Sequence, residues 1–130
     1  MTAHPNLNVL ERGLAAFAAR DMAALREIFH ETLRWHYAST SSLAGTYEGL
    51  DEVFELFARR AALSGDTYRV HVEEVVANDH FVSLIARTRA ERGAVKYEDS
   101  ICYVYRMNGG KVVEAWGMPA HPERERKFYG

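Results

Sequence analysis

One stretch of the sequence places a carboxylate among tyrosines at strand spacing. From residue 95 to 107, apolar or aromatic residues alternate with polar ones, and successive side chains of a strand point to opposite faces. Tyr97, Asp99, Ile101 and Tyr103 are therefore expected on the same, buried face. A buried carboxylate is either satisfied by an arginine or a hydroxyl, or it serves as an acid or base with a shifted pKa. A tyrosine hydroxyl in an apolar pocket can donate to a developing oxyanion.

A histidine stands at the end of a second, shorter strand. The alternating segment 32–37 precedes residues 38–49, whose Ser, Thr and Gly content predicts an exposed loop. His36 lies at this junction, and imidazole titrates near neutral pH, so histidine often transfers protons. The alternative is a structural histidine bonded to a backbone carbonyl. The residues expected to line a ligand pocket are Trp35, Tyr47, Phe57, Tyr97, Ile101 and Trp116.

Two periodicities organise the elements that must position these residues. Apolar spacings of three and four predict three amphipathic helices, within 6–20, 21–29 and 50–64. A spacing of two predicts four consecutive antiparallel strands, at 68–76, 81–90, 95–107 and 111–118. The charge-alternating tail 121–127 is typical of a solvated end. The plan is α+β: one curled sheet whose concave face is covered by three N-terminal helices.

The composition excludes several classes of protein. The 130 residues fit one domain, and 48% hydrophobic with 26% charged residues is an ordinary globular balance. The formal net charge of -2 lacks the basic excess of proteins that neutralise nucleic-acid phosphates. No apolar run approaches the ~20 residues of a membrane span, and the first residues lack signal-peptide features. We expect a cytoplasmic protein with neither nucleic-acid nor membrane partners.

The sequence contains no recognisable metal or cofactor motif. The six histidines show none of the spacings of common metal sites, and the single cysteine, Cys102, excludes an intramolecular disulfide. Glycine-rich nucleotide loops are also absent. Neither a metal nor a cofactor is therefore expected.

Four segments resemble the SnoaL-like proteins of the nuclear-transport-factor-two-like superfamily, which includes ketosteroid isomerase. These segments are WH at 35–36, LAGTYEG at 43–49, DEVFELF at 51–57 and VYRMNGGKVVEAW at 104–116. The resemblance implies a cystatin-like α+β roll: a cone with a curved, mostly antiparallel mixed sheet and helices that enclose a pocket. It places His36 at the position of the isomerase general base and Tyr103 at that of an oxyanion-hole residue.

The resemblance and the residues together give two functional hypotheses. The first is acid–base catalysis of the isomerase, cyclase or hydratase type on a hydrophobic carbonyl compound, with His36, Tyr103 and Asp99 as the catalytic groups. The second is a binding module that holds an apolar small molecule without turnover. The family resemblance also implies a homodimer through the convex face of the sheet, where Phe81, Ile85, Cys102 and Val104 are expected.

Overall fold

A computed structural model describes residues 4–130, which form helices and strands in an α+β order. The helices are α1 (Pro5–Ala19), α2 (Met22–Ile28), α3 (Leu50–Leu63) and α4 (Pro122–Tyr129). The strands are β1 (Phe29–Tyr37), β2 (Gly45–Glu48), β3 (Arg69–Ala77), β4 (Phe81–Arg92), β5 (Val95–Asn108) and β6 (Lys111–Pro119). The three predicted N-terminal helices and the four consecutive C-terminal strands are confirmed.

The strands form one sheet in the order β2-β1-β6-β5-β4-β3. Strands β3 to β6 pair as antiparallel neighbours, whereas β1 runs parallel to β6. The sheet is therefore mixed and mostly antiparallel. The helices α1, α2 and α3 cover its concave face and complete the α+β cone that the sequence predicts.

The predicted loop 38–49 contains a short edge strand. Residues Gly45–Glu48 pair with β1, so that Thr46 lies opposite His36 and Tyr47 opposite Trp35. The strand is only four residues long and largely exposed, which explains why its alternation is hard to detect in the sequence. It extends the sheet beyond β1 and leads directly into α3.

The C-terminal tail is a helix with a buried face, and the prediction of a solvated end is wrong. Pro122 occupies a first-turn position of α4, where its missing N–H costs nothing. Glu125, Phe128 and Tyr129, at spacings of three and four, are buried while the other charged side chains of the helix face solvent. Helix α4 packs against β5.

Strand alternation decides which side chains enter the cone. In β5 the inner face carries the buried row Tyr97, Asp99, Ile101, Tyr103, Tyr105 and Met107. The prediction that Asp99 shares the inward face with Ile101 and Tyr103 is confirmed. In β1 the buried residues near the loop are Trp35 and Tyr37.

Candidate functional site

An inner cavity lies between the sheet and the helices. It has a volume of about 50 Å³, and apolar side chains from α1, β1, β4 and β6 form most of its wall. The polar groups in the wall come from Arg60 of α3, from the tyrosines Tyr68, Tyr103 and Tyr105, and from the indole of Trp35. The cavity is thus apolar, with its hydrogen-bonding groups carried by a few side chains.

A wider outer cavity adjoins the inner one. Its volume is about 680 Å³, and it lies between the end of α1, the start of α2, α3 and β3. Phe57, Arg60 and Tyr68 are among the residues that line both cavities. A ligand that enters through the outer cavity would therefore meet Arg60 and Tyr68 at the junction.

Arg60 is a buried cation with unmet hydrogen-bonding capacity. It is 3% exposed, and its Nε and Nη2 atoms have no hydrogen-bond partner within residues 4–130. Its guanidinium carbon lies 4.7 Å from the ring centre of Tyr68 and 5.0 Å from that of Tyr37. No carboxylate oxygen in the described chain lies within 4.0 Å of its nitrogens. Arginine remains protonated in proteins, so aromatic faces rather than carboxylates surround this charge.

The tyrosines around Arg60 are neutral donors. Burial raises the pKa of Tyr103 and of Tyr37 well above the ordinary value of 10.0, and the nearby Arg60 charge offsets only part of that rise. Burial raises the pKa of Tyr68 and of Tyr105 as well. Their hydroxyls therefore stay protonated at physiological pH.

Trp35 is a second residue of the cavity wall whose N–H donor lacks an acceptor. Its indole Nε1 is buried and has no partner within residues 4–130. The ring packs edge-on against Phe57 at 5.4 Å and against Tyr103 at 5.8 Å between centroids. Aromatic packing thus fixes the indole in the cavity wall while its N–H is left unsatisfied.

Glu125 of α4 is a buried carboxylate whose oxygens are already occupied. Its Oε1 accepts from the hydroxyls of Ser39 at 2.8 Å and Ser41 at 2.7 Å. Its Oε2 accepts a short hydrogen bond from Tyr37 and a longer one from Tyr97 at 3.4 Å. Four hydroxyls thus replace water around this charge, and Tyr37 contacts both Glu125 and Arg60.

His36 lies on the outer face of the sheet, so the prediction that it points into the cone is wrong. Its neighbours Trp35 and Tyr37 are both buried, and alternation turns His36 to the opposite side. Its Nε2 lies 2.6 Å from Oε2 of Glu114, its Nδ1 lies 3.1 Å from Thr46 Oγ1, and its ring stacks on Trp116. His36 is thus bonded to side chains, whereas the structural alternative named a backbone carbonyl as its partner. Trp116 is likewise outside the cone.

Asp99 faces inward but lies apart from both cavities. Its Oδ2 accepts from the backbone N–H of His121 at 2.9 Å, and its Oδ1 lies 2.9 Å from the Nδ1 of the same residue. Its Oδ1 also accepts from the Ser100 N–H at 2.8 Å. The carboxylate is satisfied, but by two backbone N–H groups and an imidazole instead of the predicted arginine or hydroxyl. It anchors the segment that leads into α4.

The remaining predicted site residues divide into two groups. Trp35, Phe57 and Tyr103 line the inner cavity, whereas Tyr47, Tyr97 and Ile101 line neither it nor the outer one. The Tyr47 hydroxyl donates to the Leu43 carbonyl at 2.6 Å and accepts from Arg59, so it braces the loop instead. The structure therefore does not bring His36, Asp99 and Tyr103 together.

Comparison with known families agrees with this architecture. The family model described as a SnoaL-like domain matches residues 10–115, a span that runs from α1 to β6. The chain belongs to the SnoaL-like domain family. An uncharacterized protein of Mycobacterium tuberculosis, Rv0034, is 28% identical to this SnoaL-like chain over 130 residues, covering 99% of both sequences.

Solved structures share the fold of this SnoaL-like protein. Bal32a, from a soil-derived mobile gene cassette, superposes with a TM-score of 0.91 at 29% identity and covers 97% of both chains. IdmH of Streptomyces antibioticus, a candidate polyketide cyclase, superposes with a TM-score of 0.74 at 19% identity, covering 91% of this chain and 94% of its own.

Three residues of this SnoaL-like chain were not predicted as site residues: Arg60, Tyr68 and Glu125. The signal for Arg60 was its place in the apolar stripe of α3, one turn after Leu56. Tyr68 was assigned only to the start of a strand, and Glu125 was hidden in a charge-rich tail. Within residues 4–130, no group of three or more His, Cys, Asp or Glu side chains could hold a metal ion, and no helix is long and apolar enough to cross a membrane.

Proposed function

We propose that this SnoaL-like protein binds a hydrophobic carbonyl compound in the two adjoining cavities, with an oxygen of the compound held by Arg60. The observation that carries the proposal is the pair of buried, unpartnered nitrogens of Arg60. A buried donor without an acceptor costs about 1–3 kcal/mol, and more when the donor is charged. A ligand oxygen would recover that energy.

The surroundings of Arg60 support the same ligand chemistry. The walls of both cavities are mainly apolar, with Phe57 at their junction and Leu14 and Val70 nearby. Such walls favour a ring or a branched hydrocarbon body. The likeness to a candidate polyketide cyclase fits a compound of this type, although it is a likeness of fold.

A binding experiment tests the proposal directly. A calorimetric titration of the protein with 2-acetylnaphthalene should show saturable binding at one site. Replacing Arg60 with Met should weaken that binding by about 10-fold or more, because one charge-assisted hydrogen bond to the ligand is lost. Arg59→Met alters the exposed neighbour on the same helix and should bind like the parent protein. Equal affinities for the parent and Arg60→Met would contradict the role of Arg60.

A second candidate is acid–base turnover of the bound compound, and the contact between Tyr37 and Glu125 favours it. The Tyr37 ring packs on Arg60, and its hydroxyl donates to the Glu125 carboxylate. Tyr37 is not among the residues that line either cavity, so this turnover requires its hydroxyl to move toward the ligand. A proton leaving the carbon next to the carbonyl would then pass to Tyr37 Oη as the phenol proton moves to Glu125. The enolate oxygen so formed would be stabilised by Arg60.

Isotope exchange distinguishes turnover from binding alone. In D₂O, the methyl protons of bound 2-acetylnaphthalene should exchange faster with the protein present, and NMR measures the rate. Tyr37→Phe removes the hydroxyl, should lower the catalysed rate by about 100-fold or more, and should leave binding largely intact. Binding without accelerated exchange would leave the protein as a binding module.

A further inference from the structure

We infer that the ligand carries a carboxylate and that Arg60 binds its two oxygens as a planar fork through Nε and Nη2. The inference rests on the proposed function, because it names the chemical class of compound that the same site takes. It adds that the preferred compound is an anion, whereas a neutral ketone is a weaker ligand.

The identity of the unpartnered atoms supports this inference. In a guanidinium group the N–H bonds of Nε and Nη2 lie along one edge and point in the same direction. That edge matches the two oxygens of a carboxylate, and such bidentate pairs are stronger and more selective than single contacts. A ketone oxygen can satisfy only part of the edge. In Arg60 both atoms of the edge are buried and lack partners.

The unpartnered polar atoms of the inner cavity also favour an anionic ligand. The buried atoms without partners that belong to its lining residues are Arg60 Nε, Arg60 Nη2 and Trp35 Nε1. All of these atoms are donors. Within residues 4–130, no lining residue of the inner cavity is acidic. The described lining therefore lacks an anionic acceptor, and a carboxylate supplies two oxygens with four lone-pair sites.

The protein's own carboxylates do not occupy the fork. Glu125, the buried acid that shares the contact residue Tyr37 with Arg60, is engaged by hydroxyls on both oxygens. Asp66, which lines the outer cavity, forms an ion pair with Arg20. Asp66 is thus engaged by Arg20, and the remaining rim cation, Arg69, donates to the backbone carbonyls of Asp66 and Tyr68. Within the described chain, no carboxylate of the cavity lining is therefore left for Arg60.

The shape of the site favours an organic acid over an inorganic anion. The inner cavity is small, about 50 Å³, and shares Arg60 and Phe57 with the lining of the outer cavity of about 680 Å³. Phe17, Phe54 and Phe57 contribute aromatic surface to the outer cavity. A carboxylate at the junction with an aromatic or branched body in the outer cavity would use both features. A free phosphate bound at Arg60 would leave the aromatic surface of the outer cavity unused.

Matched ligands test the inference on the intact protein. Calorimetric titration compares 2-naphthoate with methyl 2-naphthoate and 2-acetylnaphthalene at pH 7, where only the first is charged. We expect 2-naphthoate to bind at least 10-fold more tightly than either neutral compound. Arg60→Gln should abolish that preference, Arg60→Lys should retain only part of it because an ammonium is not a planar fork, and Arg59→Gln should leave it unchanged.

Each result of this comparison is decisive. Equal affinities, or tighter binding of the neutral compounds, overturn the carboxylate inference while the proposed function stands. Absence of binding by all three compounds contradicts both. A preference for 2-naphthoate that persists in Arg60→Gln overturns the assignment to Arg60. Should Arg60→Gln fail to fold, judged by circular dichroism, the ligand comparison on the parent protein and on Arg60→Lys still decides the outcome.

Discussion

Arg60 and Tyr68 pack against each other inside the cone, with the guanidinium carbon 4.7 Å from the centre of the phenol ring. Tyr37 provides another aromatic face, 5.0 Å from the same carbon. Ring faces attract a cation through their quadrupole, but they accept few of its hydrogen bonds. The charge is therefore tolerated in the core while one edge of the guanidinium remains unsatisfied.

We predict that Arg60→Met leaves the protein at least as stable as the parent while it weakens ligand binding. The methionine removes a buried charge and its unmet N–H groups, which offsets the lost aromatic contacts. The free energy of unfolding should stay unchanged or rise by about 1 kcal/mol, measured by urea denaturation. A loss of more than about 2 kcal/mol would show that Arg60 serves the fold instead.

Gly117→Ala should destabilise the protein and disturb the site. An added Cβ would lie 2.6 Å from Tyr103 Cε1 and 2.9 Å from Tyr37 Cδ1, so both rings must move. We expect a loss of about 1–3 kcal/mol in thermal or urea unfolding. Gly13→Ala is the matched control: its nearest neighbour is Ile28 Cγ2 at 3.6 Å, and alanine favours a helix interior, so its stability should be equal or slightly higher.

Glu125→Ala should detach α4 from the body of the protein. The substitution would remove the carboxylate that accepts hydrogen bonds from the hydroxyls of Tyr37, Ser39 and Ser41. The expected loss is about 3 kcal/mol in urea unfolding, with faster hydrogen exchange in α4. Glu123→Ala alters an exposed carboxylate in the same helix and should cost less than about 0.5 kcal/mol. Similar stabilities for the two variants would exclude Glu125 as an anchor.

Stability in acid should depend on Glu114. The hydrogen bond from His36, with a smaller contribution from Arg106, holds the pKa of Glu114 below its ordinary value of 4.5. A carboxyl whose pKa is lower in the folded state stabilises the fold above pH 4.5, and that contribution disappears as the pH falls through the folded-state pKa. Urea unfolding from pH 7 to pH 3 should therefore show a shallower acid loss for Glu114→Gln. Glu55→Gln, an exposed control, should follow the parent.

We also predict a homodimer that pairs through the outer face of the sheet. Ile85, Cys102 and Met118 lie side by side across β4, β5 and β6, and Ile85 and Met118 are 39% exposed. Sedimentation at micromolar concentration should give a dimer, and Ile85→Asp should give a monomer. Val95→Asp changes an exposed apolar residue at the start of β5 and should remain dimeric. A monomeric parent protein would refute the prediction.

The error about His36 shows how alternation constrains a strand. Trp35 and His36 are adjacent in β1, so they cannot both face one cavity, yet both were assigned to the site. The same rule, applied to β5, correctly placed Asp99 and Tyr103 inward. In β6 the same rule puts Ala115 and Gly117 inward and Trp116 outward. The rings of Tyr37 and Tyr103 leave no room for a larger side chain at Gly117.

Arg60 and Glu125 escaped prediction because sequence patterns treat charge as a sign of exposure. Both residues fall on the buried stripe of a helix, Arg60 one turn after Leu56 and Glu125 one turn before Phe128 and Tyr129. Their burial depends on partners far away in the chain, such as Tyr37. No local spacing identifies these partners before the fold is known.

The parallel pairing of β1 with β6 has a consequence for how the chain folds as it is made. Trp35 lies beside Ala115 in the sheet, so β1 completes its hydrogen bonds only after β6 has been made. Contacts this distant in sequence slow folding, because a long loop must close before they form. A nascent chain that ends before Lys111 would leave the backbone N–H and C=O groups on this edge of β1 unpaired. We therefore expect β1 to gain its native pairing only after β6 has emerged from the ribosome, with chaperone dependence greatest before that point.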